Sequence, residues 1–426
     1  MVLALPELTT YLLDRQYVHP EAVVDGGLIV VDASRRNHNV LVSAEPAVGL
    51  FVKQGRSDPV QSATGWTGSG SLAHEAAVYS LLDLLDSLPR PSSGGGITGA
   101  LPRCRGFDAE RDLLILEALP DAWDLTSYHS RTRRFPATVG TRLGTALADL
   151  HERAFAAARR NPADFPGRLP WVLGIDRPGT AFYREMSNAG LELVRILQSS
   201  PELRAALAAL RTGWRQDAFV HHDVKWDNCL VLASGASGRR TRVALVDWEF
   251  ADLGDACWDT GSVFGAYLGC WLASIPVTGS ELPDRYLELA EYPLTRMRPA
   301  MRAFWAAYAG TREWDAATAD AALIRSARYA GARLLQSAYE RAQGAARVST
   351  TVVCLAQLAE NVLVRPEEAV EHLLGVPWRG QADRPGVRPR RGADPVGAPP
   401  LRGGAGAPLR GEADLVGVTL RGGADE

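Results

Sequence analysis

The stretch HHDVKWDNCLV, His221 to Val231, sets histidine, aspartate, lysine and asparagine within eight residues, just ahead of an apolar run. CLVLA reads as a strand, and DAFV, immediately before the cluster, reads as another. The polar residues are therefore expected on a tight turn between two extended segments. A rigid turn is a good place to hold groups that act on something outside the chain.

The 426 residues are 46% hydrophobic and 22% charged, an ordinary globular composition. The length suggests two or three domains. A net charge of -3 and a pI of about 6.3 supply no basic field for nucleic acid. MVLALPELTT lacks a basic segment followed by a long apolar one, so no signal peptide is expected. Cys104, Cys229, Cys257, Cys270 and Cys354 are odd in number and form no C-x-x-C pair. That argues against a disulfide framework or a zinc site and fits a reducing cytoplasm. Thr260 to Ser280 carries no charge over 21 residues, long enough to span a bilayer. Its Gly261, Gly265, Gly269, Pro276 and several hydroxyls favour a buried core helix instead, so no membrane span is expected.

Along the chain, 5–16 reads as a short helix. GLIVVDA (27–33), NVLVSA and GLFVKQ (49–54) follow as short β-rich runs separated by turn residues, the pattern of antiparallel hairpins. LAHEAAVYSLLDLLDSL (72–88) has Val78, Leu81, Leu82 and Leu85 at helical spacing. CRGFDAERDLLILEAL reads as a hairpin with its turn at DAER. After Pro120 the texture is helical, except for short strands in 217–247. The expected fold class is α+β: a small antiparallel-sheet lobe over 1–118 and a larger, mostly helical lobe over 119–378. From 379 to 426 Gly, Pro and Arg dominate and LRGGAG, LRGEAD and LRGGAD nearly repeat. Apolar side chains there are too sparse to offset ordering entropy, and a solvated, disordered tail is expected.

Moving a phosphoryl group from ATP to a hydroxyl needs a carboxylate at the hydroxyl, oxygen ligands for magnesium and a cation at the remaining phosphates. Each has a candidate, in chain order. Asp223 is placed for the acceptor hydroxyl, and Asn228, five residues on, for the metal. Their spacing fits H-x-D-x-x-x-x-N, with His221 bracing the turn. Asp247 ends the strand-like RVALVD and could share the metal. Lys53 sits inside the apolar strand LFVKQ, where an amine is out of character, and Glu75, on the first turn of the next helix, can fix its ammonium. Singly, each has an ordinary account: Lys53 a snorkelling edge residue, Glu75 helix N-terminal charge compensation, Asp247 a strand-end turn residue, Asp223 and Asn228 an Asx turn. Their joint occurrence in order, across the two lobes, favours the catalytic account.

HHDVKWDN together with VDWEFADLGDACWD resembles the aminoglycoside phosphotransferase and choline kinase branch of the protein-kinase-like fold. LPRC…LLILEAL and the helix ending LADLH resemble that family's hinge and catalytic-lobe helix. The resemblance covers about residues 25–375. It implies a bilobal fold, ATP and Mg2+, with Asp223 as catalytic base, Asn228 and Asp247 on the metal, and Lys53 with Glu75 at the phosphates. It adds Glu117, in the hinge-like stretch, and Asn37, in the turn SRRNHN, as nucleotide contacts. It also implies that Asp259 braces the catalytic loop. Three features depart from the pattern. Trp-Glu, not Phe-Gly, follows Asp247. SRRNHN has no glycine for close backbone approach to phosphates, and Arg35 or Arg36 could supply charge there, though a solvated hairpin tip is the plainer account. Lys225 stands where protein Ser/Thr kinases carry lysine and many small-molecule kinases carry histidine; it could neutralise the transferred phosphoryl group.

LPWVLGIDRPG, HHDVKWDNCLV and YPLTRMRPAMRAFWAAY narrow the resemblance to the kinase component of class V lanthipeptide and thioamitide dehydratases. That group phosphorylates Ser or Thr of a precursor peptide, and a separate HopA1-like lyase then eliminates the phosphate. Two other functions stay open. A small-molecule hydroxyl kinase, such as an aminoglycoside phosphotransferase, predicts an acidic patch on the helical lobe, for which EWDAATAD (313–320) and ELPDRYLELAEY offer carboxylates. A pseudokinase scaffold would bind ATP without turnover.

Overall fold

The computed structural model of the protein describes residues 3–33, 38–44, 48–55, 71–87, 101–119, 121–234, 240–276 and 289–379. Asn37, Arg35, Arg36 and all of the tail beyond Arg379 lie outside the described residues.

Helices α1 (Leu5–Asp14) and α2 (Pro20–Val24) precede strands β1 (Leu28–Asp32), β2 (His38–Ala44) and β3 (Val48–Gln54). Helix α3 (Leu72–Ser87) follows, then β4 (Cys104–Asp108) and β5 (Leu113–Glu117). Among the described residues these strands form one antiparallel sheet in the order β1-β2-β3-β5-β4. Strand period two then sorts its side chains by face. Val40, Val42, Leu50, Val52, Leu113 and Ile115 lie on one face and bury against Leu8, Leu12, Val18 and Ala22 of the N-terminal segment. Lys53, Leu114 and Leu116 lie on the other, with Leu114 and Leu116 packed toward Val78, Tyr79 and Leu82 of α3. The sheet is thus clamped between two helical layers, and Lys53 projects from the inner face.

The helical part opens with β6 (Ala122–Asp124), α4 (Leu125–Thr132) and α5 (Ala137–Ala158). It continues through α6 (Thr180–Arg184), α7 (Asn188–Ser199) and α8 (Pro201–Thr212) to β7 (Ala218–Val220), β8 (Cys229–Ser234), β9 (Arg240–Leu245) and β10 (Asp252–Gly254). Helices α9 (Ala256–Ala273), α10 (Leu294–Thr311), α11 (Ala316–Ala342) and α12 (Thr350–Val364) complete the core. Side-chain caps fix several starts: Ser187, Ser200, Asp315 and Ser349 each accept a backbone N–H from the first turn of their helix.

The stretch 221–228 lies between two strands, as expected, but those strands do not pair with one another. β7 pairs with β10, whereas β8 pairs with β9 and β6, so the polar loop crosses between two sheets. Three-residue strands such as β7 carry too little alternation to reveal their partners.

The charge-free run from Thr260 to Ala273 lies in α9, which is buried along most of its length. No helix among the described residues is long and apolar enough to cross a membrane. The glycines of α9 bring backbones together: a Cβ on Gly261 would lie 2.6 Å from the Ser326 carbonyl oxygen of α11. In α5, a Cβ on Gly144 would lie 2.3 Å from the Phe304 oxygen of α10. Gly261→Ala is expected to lower the unfolding free energy by about 1–3 kcal/mol through overpacking. Gly310→Ala, in α10 with nothing within 4 Å of its Cβ, should raise it by up to about 1 kcal/mol through helix propensity. Denaturant unfolding of the two variants checks the pair.

Candidate functional site

Lys53 is opposite Asn39 on β2 and Leu114 on β5, deep in the sheet, and only 5% exposed. A buried amine must be paired. Its Nζ donates to both Glu75 oxygens, at 2.8 and 2.9 Å, and to Asp247 Oδ1 at 2.6 Å. Burial works against the ammonium, but the Glu75 and Asp247 carboxylates outweigh it and hold Lys53 above the usual lysine range. Burial raises the Glu75 carboxyl against the pull of Lys53. Glu75 is held from a second direction: its neighbour His74 donates Nε2–H to the Ala251 carbonyl at 2.7 Å. Burial lowers the His74 pKa. The first turn of α3 is thereby tied to the segment that follows Asp247.

The loop 221–228 is held by Asp259, on the first turn of α9 and fully buried. Asp259 accepts the backbone N–H of His221 at 2.7 Å and of His222 at 3.0 Å. His151 Nε2 of α5 lies 3.1 Å from the same carboxylate, and its Nδ1 lies 2.8 Å from the Tyr308 hydroxyl. His221 knits the loop to the next strand. Its Nδ1 accepts from the Asp223 backbone N–H at 3.3 Å, and its Nε2 donates to the Val246 carbonyl at 2.9 Å. Val246 N–H in turn donates to the Asn228 carbonyl at 3.0 Å. Asp223, Asn228 and Asp247 therefore belong to one hydrogen-bonded block. His222 and Asp247 both have left-handed backbone, φ 66° and 68°. Side chains other than glycine adopt that conformation sparsely, and such residues gather at functional sites.

Asp223 is 6% exposed. Its Oδ2 accepts from Lys225 Nζ at 2.7 Å and Asn228 Nδ2 at 3.1 Å, and its Oδ1 accepts from Arg333 Nη2 at 3.0 Å. Burial opposes its charge, but Lys225 and Arg333 hold the carboxyl well below the usual range. Arg333 is the residue that sequence reading missed. It interrupts a run of small and apolar residues, GARLL, much as Lys53 interrupts LFVKQ. Its pairing with Asp223 spans 110 residues, which no local spacing encodes.

Glu117 and Asn37 are the remaining candidates. Glu117 ends β5 opposite Leu50, with its carboxylate 3.7 Å from Arg105. Asn37 is outside the described residues. On the sheet face that carries Lys53, Ile29 and Val31 are exposed and Leu41 and Phe51 half-buried, an apolar surface of the kind a base can stack on.

Oxygen donors suited to a hard cation are present. Asn228 Nδ2 is taken up by the Asp223 carbonyl and carboxylate, which leaves its Oδ1 as acceptor. Asp247, with its side chain 30% exposed, uses Oδ1 toward Lys53 and has Oδ2 in reserve. Among the described residues no group of three or more His, Cys, Asp or Glu could hold a metal alone. An amide and a carboxylate that share an ion with nucleotide phosphates is the arrangement Mg2+ prefers.

The sequence matches the family described as phosphotransferase enzyme family over residues 69–314. No curated protein matches it. Among solved structures it is similar to a choline kinase from Cryptosporidium parvum Iowa II, at 13% identity and TM-score 0.48, covering 85% of this chain and 96% of that one. It is similar to a choline/ethanolamine kinase family protein from Mesorhizobium loti, at 14% identity and TM-score 0.46, covering 80% and 89%. An amicoumacin kinase in complex with AMP-PNP and Ca2+ is similar at 12% identity and TM-score 0.47, covering 83% and 95%.

Burial opposes the Asp259 charge, but His151 and the loop histidines hold that carboxyl below the usual range. A lowered folded pKa gives stability that is complete above the unfolded value near about 4 and lost as pH falls through the folded value. Asp259→Asn is therefore expected to cost about 3–5 kcal/mol near neutral pH, since it breaks a buried, hydrogen-bonded charge. The difference from native should shrink below about pH 4. Urea denaturation across pH tests this; a difference independent of pH contradicts it.

Proposed function

The chain belongs to the phosphotransferase enzyme family and is an ATP-dependent phosphotransferase with a hydroxyl group as acceptor; from that premise we propose that the acceptor is a Ser or Thr side chain of a ribosomally made precursor peptide. One observation carries this reading: the charged groups bonded to Asp223 are two cations, Lys225 and Arg333. A polycationic aminoglycoside would meet both as its hydroxyl approached, whereas the neutral backbone around a serine would not. The carboxylates of 313–320 give the aminoglycoside reading little support. Asp315 caps α11 and Asp320 accepts the Arg379 N–H. Asp315 precedes Arg333 by 18 residues, about 27 Å along a helix. ELPDRYLELAEY lies largely outside the described residues.

In the proposed reaction the acceptor oxygen attacks the γ-phosphorus, the bond to the β,γ-bridging oxygen breaks, and ADP leaves with its electron pair. The hydroxyl proton passes to Asp223 or through it to solvent. Asp223, fixed by its bonds to Asn228 and Arg333, orients the hydroxyl for attack. Lys53, fixed by Glu75, meets the α- and β-phosphates. Lys225 meets the charge on the transferred group. Asn228 and Asp247 hold Mg2+, which when bound neutralises phosphate charge. Glu117, at the end of β5, contacts the nucleotide. Residues 1–118 thus serve as the nucleotide lobe and 119–378 as the catalytic lobe, in the cytoplasm where ATP is supplied. Phosphate leaves far more readily than hydroxide, so a phosphorylated Ser or Thr is primed for β-elimination by a HopA1-like lyase to a dehydro-amino acid.

Asp223→Asn should slow transfer by about 10²–10⁴-fold without lowering Mg-ATP binding. Asp247→Ala should abolish the thermal stabilisation by Mg-ATP, worth about 2.7 kcal/mol at a hundredfold excess over Kd. Mass spectrometry for added phosphate, on Ser/Thr-rich peptides against aminoglycosides, tests the acceptor. Phosphate found on the aminoglycosides alone overturns the peptide reading.

A further inference from the structure

The two cations on Asp223 differ in kind. Lys225 is reached from solvent, with its side chain 45% exposed. A lysine pair of that exposure is weak and exchangeable. Arg333 is only 10% exposed and is held on three sides. Its Nη1 donates to Gln336 Oε1 at 2.6 Å, its guanidinium carbon lies 5.5 Å from the Trp258 ring centroid, and Gly265 of α9 admits its Cβ. The Trp258 indole also donates to the His222 carbonyl at 2.9 Å, so the ring that carries Arg333 is bonded to the loop it serves. Gln336 Nε2 donates onward to Glu340 Oε1 at 2.9 Å, which fixes the amide. An arginine this constrained loses little freedom in holding one carboxylate oxygen.

We infer that Arg333 is a positioning residue for the transfer reaction: it pins Asp223 Oδ1, so that Oδ2 is the oxygen offered to the incoming hydroxyl and Lys225 is the cation that this hydroxyl displaces. Lys225, released from Oδ2, is then free to follow the transferred phosphoryl group. The inference rests on Asp223 as the acceptor-orienting carboxylate, the reading proposed above.

The test needs no identified acceptor. Single-turnover hydrolysis of Mg-ATP, with water as acceptor and ADP release as the signal, is compared for native protein, Arg333→Met, Arg333→Lys, Gln336→Leu, Asp223→Asn and the double variant Arg333→Met/Asp223→Asn. Misplacing a reacting group by about 1 Å costs about a hundredfold. Arg333→Met is expected to lose about ten- to a hundredfold in rate, with Mg-ATP affinity within about twofold of native. Arg333→Lys should recover part of the loss, and Gln336→Leu, which keeps the guanidinium but loosens it, should fall between. In the Asp223→Asn background the Arg333→Met loss should drop below about twofold, because two residues acting through one another are not additive. An undiminished loss in that background, a matching loss of Mg-ATP affinity, or native rates in both Arg333→Met and Gln336→Leu would overturn the inference. Native hydrolysis by Asp223→Asn would instead remove Asp223 from the mechanism, a result that sinks the reading beneath the inference and is read from that variant alone.

Discussion

The ammonium of Lys53 joins three pieces of chain that are far apart in sequence. It leaves the inner face of the sheet, meets Glu75 on α3, and reaches Asp247 beyond β9. An unpaired ammonium at 5% exposure would be too costly to keep charged, so the fold must bring both carboxylates to it. Glu75 cannot shift without α3, and α3 is tied by His74 to Ala251. Sheet, helix α3 and the segment that follows β9 are thus set relative to one another by polar contacts at a single point. The placement of the sheet beside the helical part follows from that requirement as much as from the apolar clusters on either side of it.

Below that point, precision comes from backbone anchoring. Asp259 takes two consecutive loop N–H groups, and His221 and Asn228 each bond Val246. The backbone of the loop is thereby satisfied without drawing on the Asp223 carboxylate, which is left to Lys225, Asn228 and Arg333. Left-handed backbone at His222 and Asp247 is the local cost of aiming them. Small residues on α5 and α9 let the helices behind this loop approach closely, which brings α11, and with it Arg333, to Asp223.

Much of the fold was legible in the sequence because its signals are local. The short apolar, β-rich runs of β1, β2, β3 and β5 and the helical spacing of α3, α5, α7 and α8 mark those elements directly. Lys53 was legible as a charge in an apolar strand. Asp223, Asn228 and Asp247 were legible from spacing, and the structure gathers them with Lys53 and Glu75. What stayed hidden depends on partners distant in sequence. β7 and β10 are three residues each, and they find one another across the loop 221–228 and the β8–β9 hairpin, with Val220 opposite Asp252. The five-residue α2 is too short for periodicity, and its burial of Ala22 under the sheet is a tertiary fact. Arg333 reads locally as one more helix arginine until α9 places the loop beside it.

The β8–β9 hairpin separates architecture from length. At one end Cys229 pairs with Leu245, next to the acid groups; at the other Ser234 pairs with Arg240. Six paired residues put about 17 Å between the two ends. Residues gained or lost beyond Ser234 would leave the spacing of Asp223, Asn228 and Asp247 untouched. Relatives could therefore diverge freely at that tip, through insertions or even appended modules, while the chemistry at the opposite end stays in register.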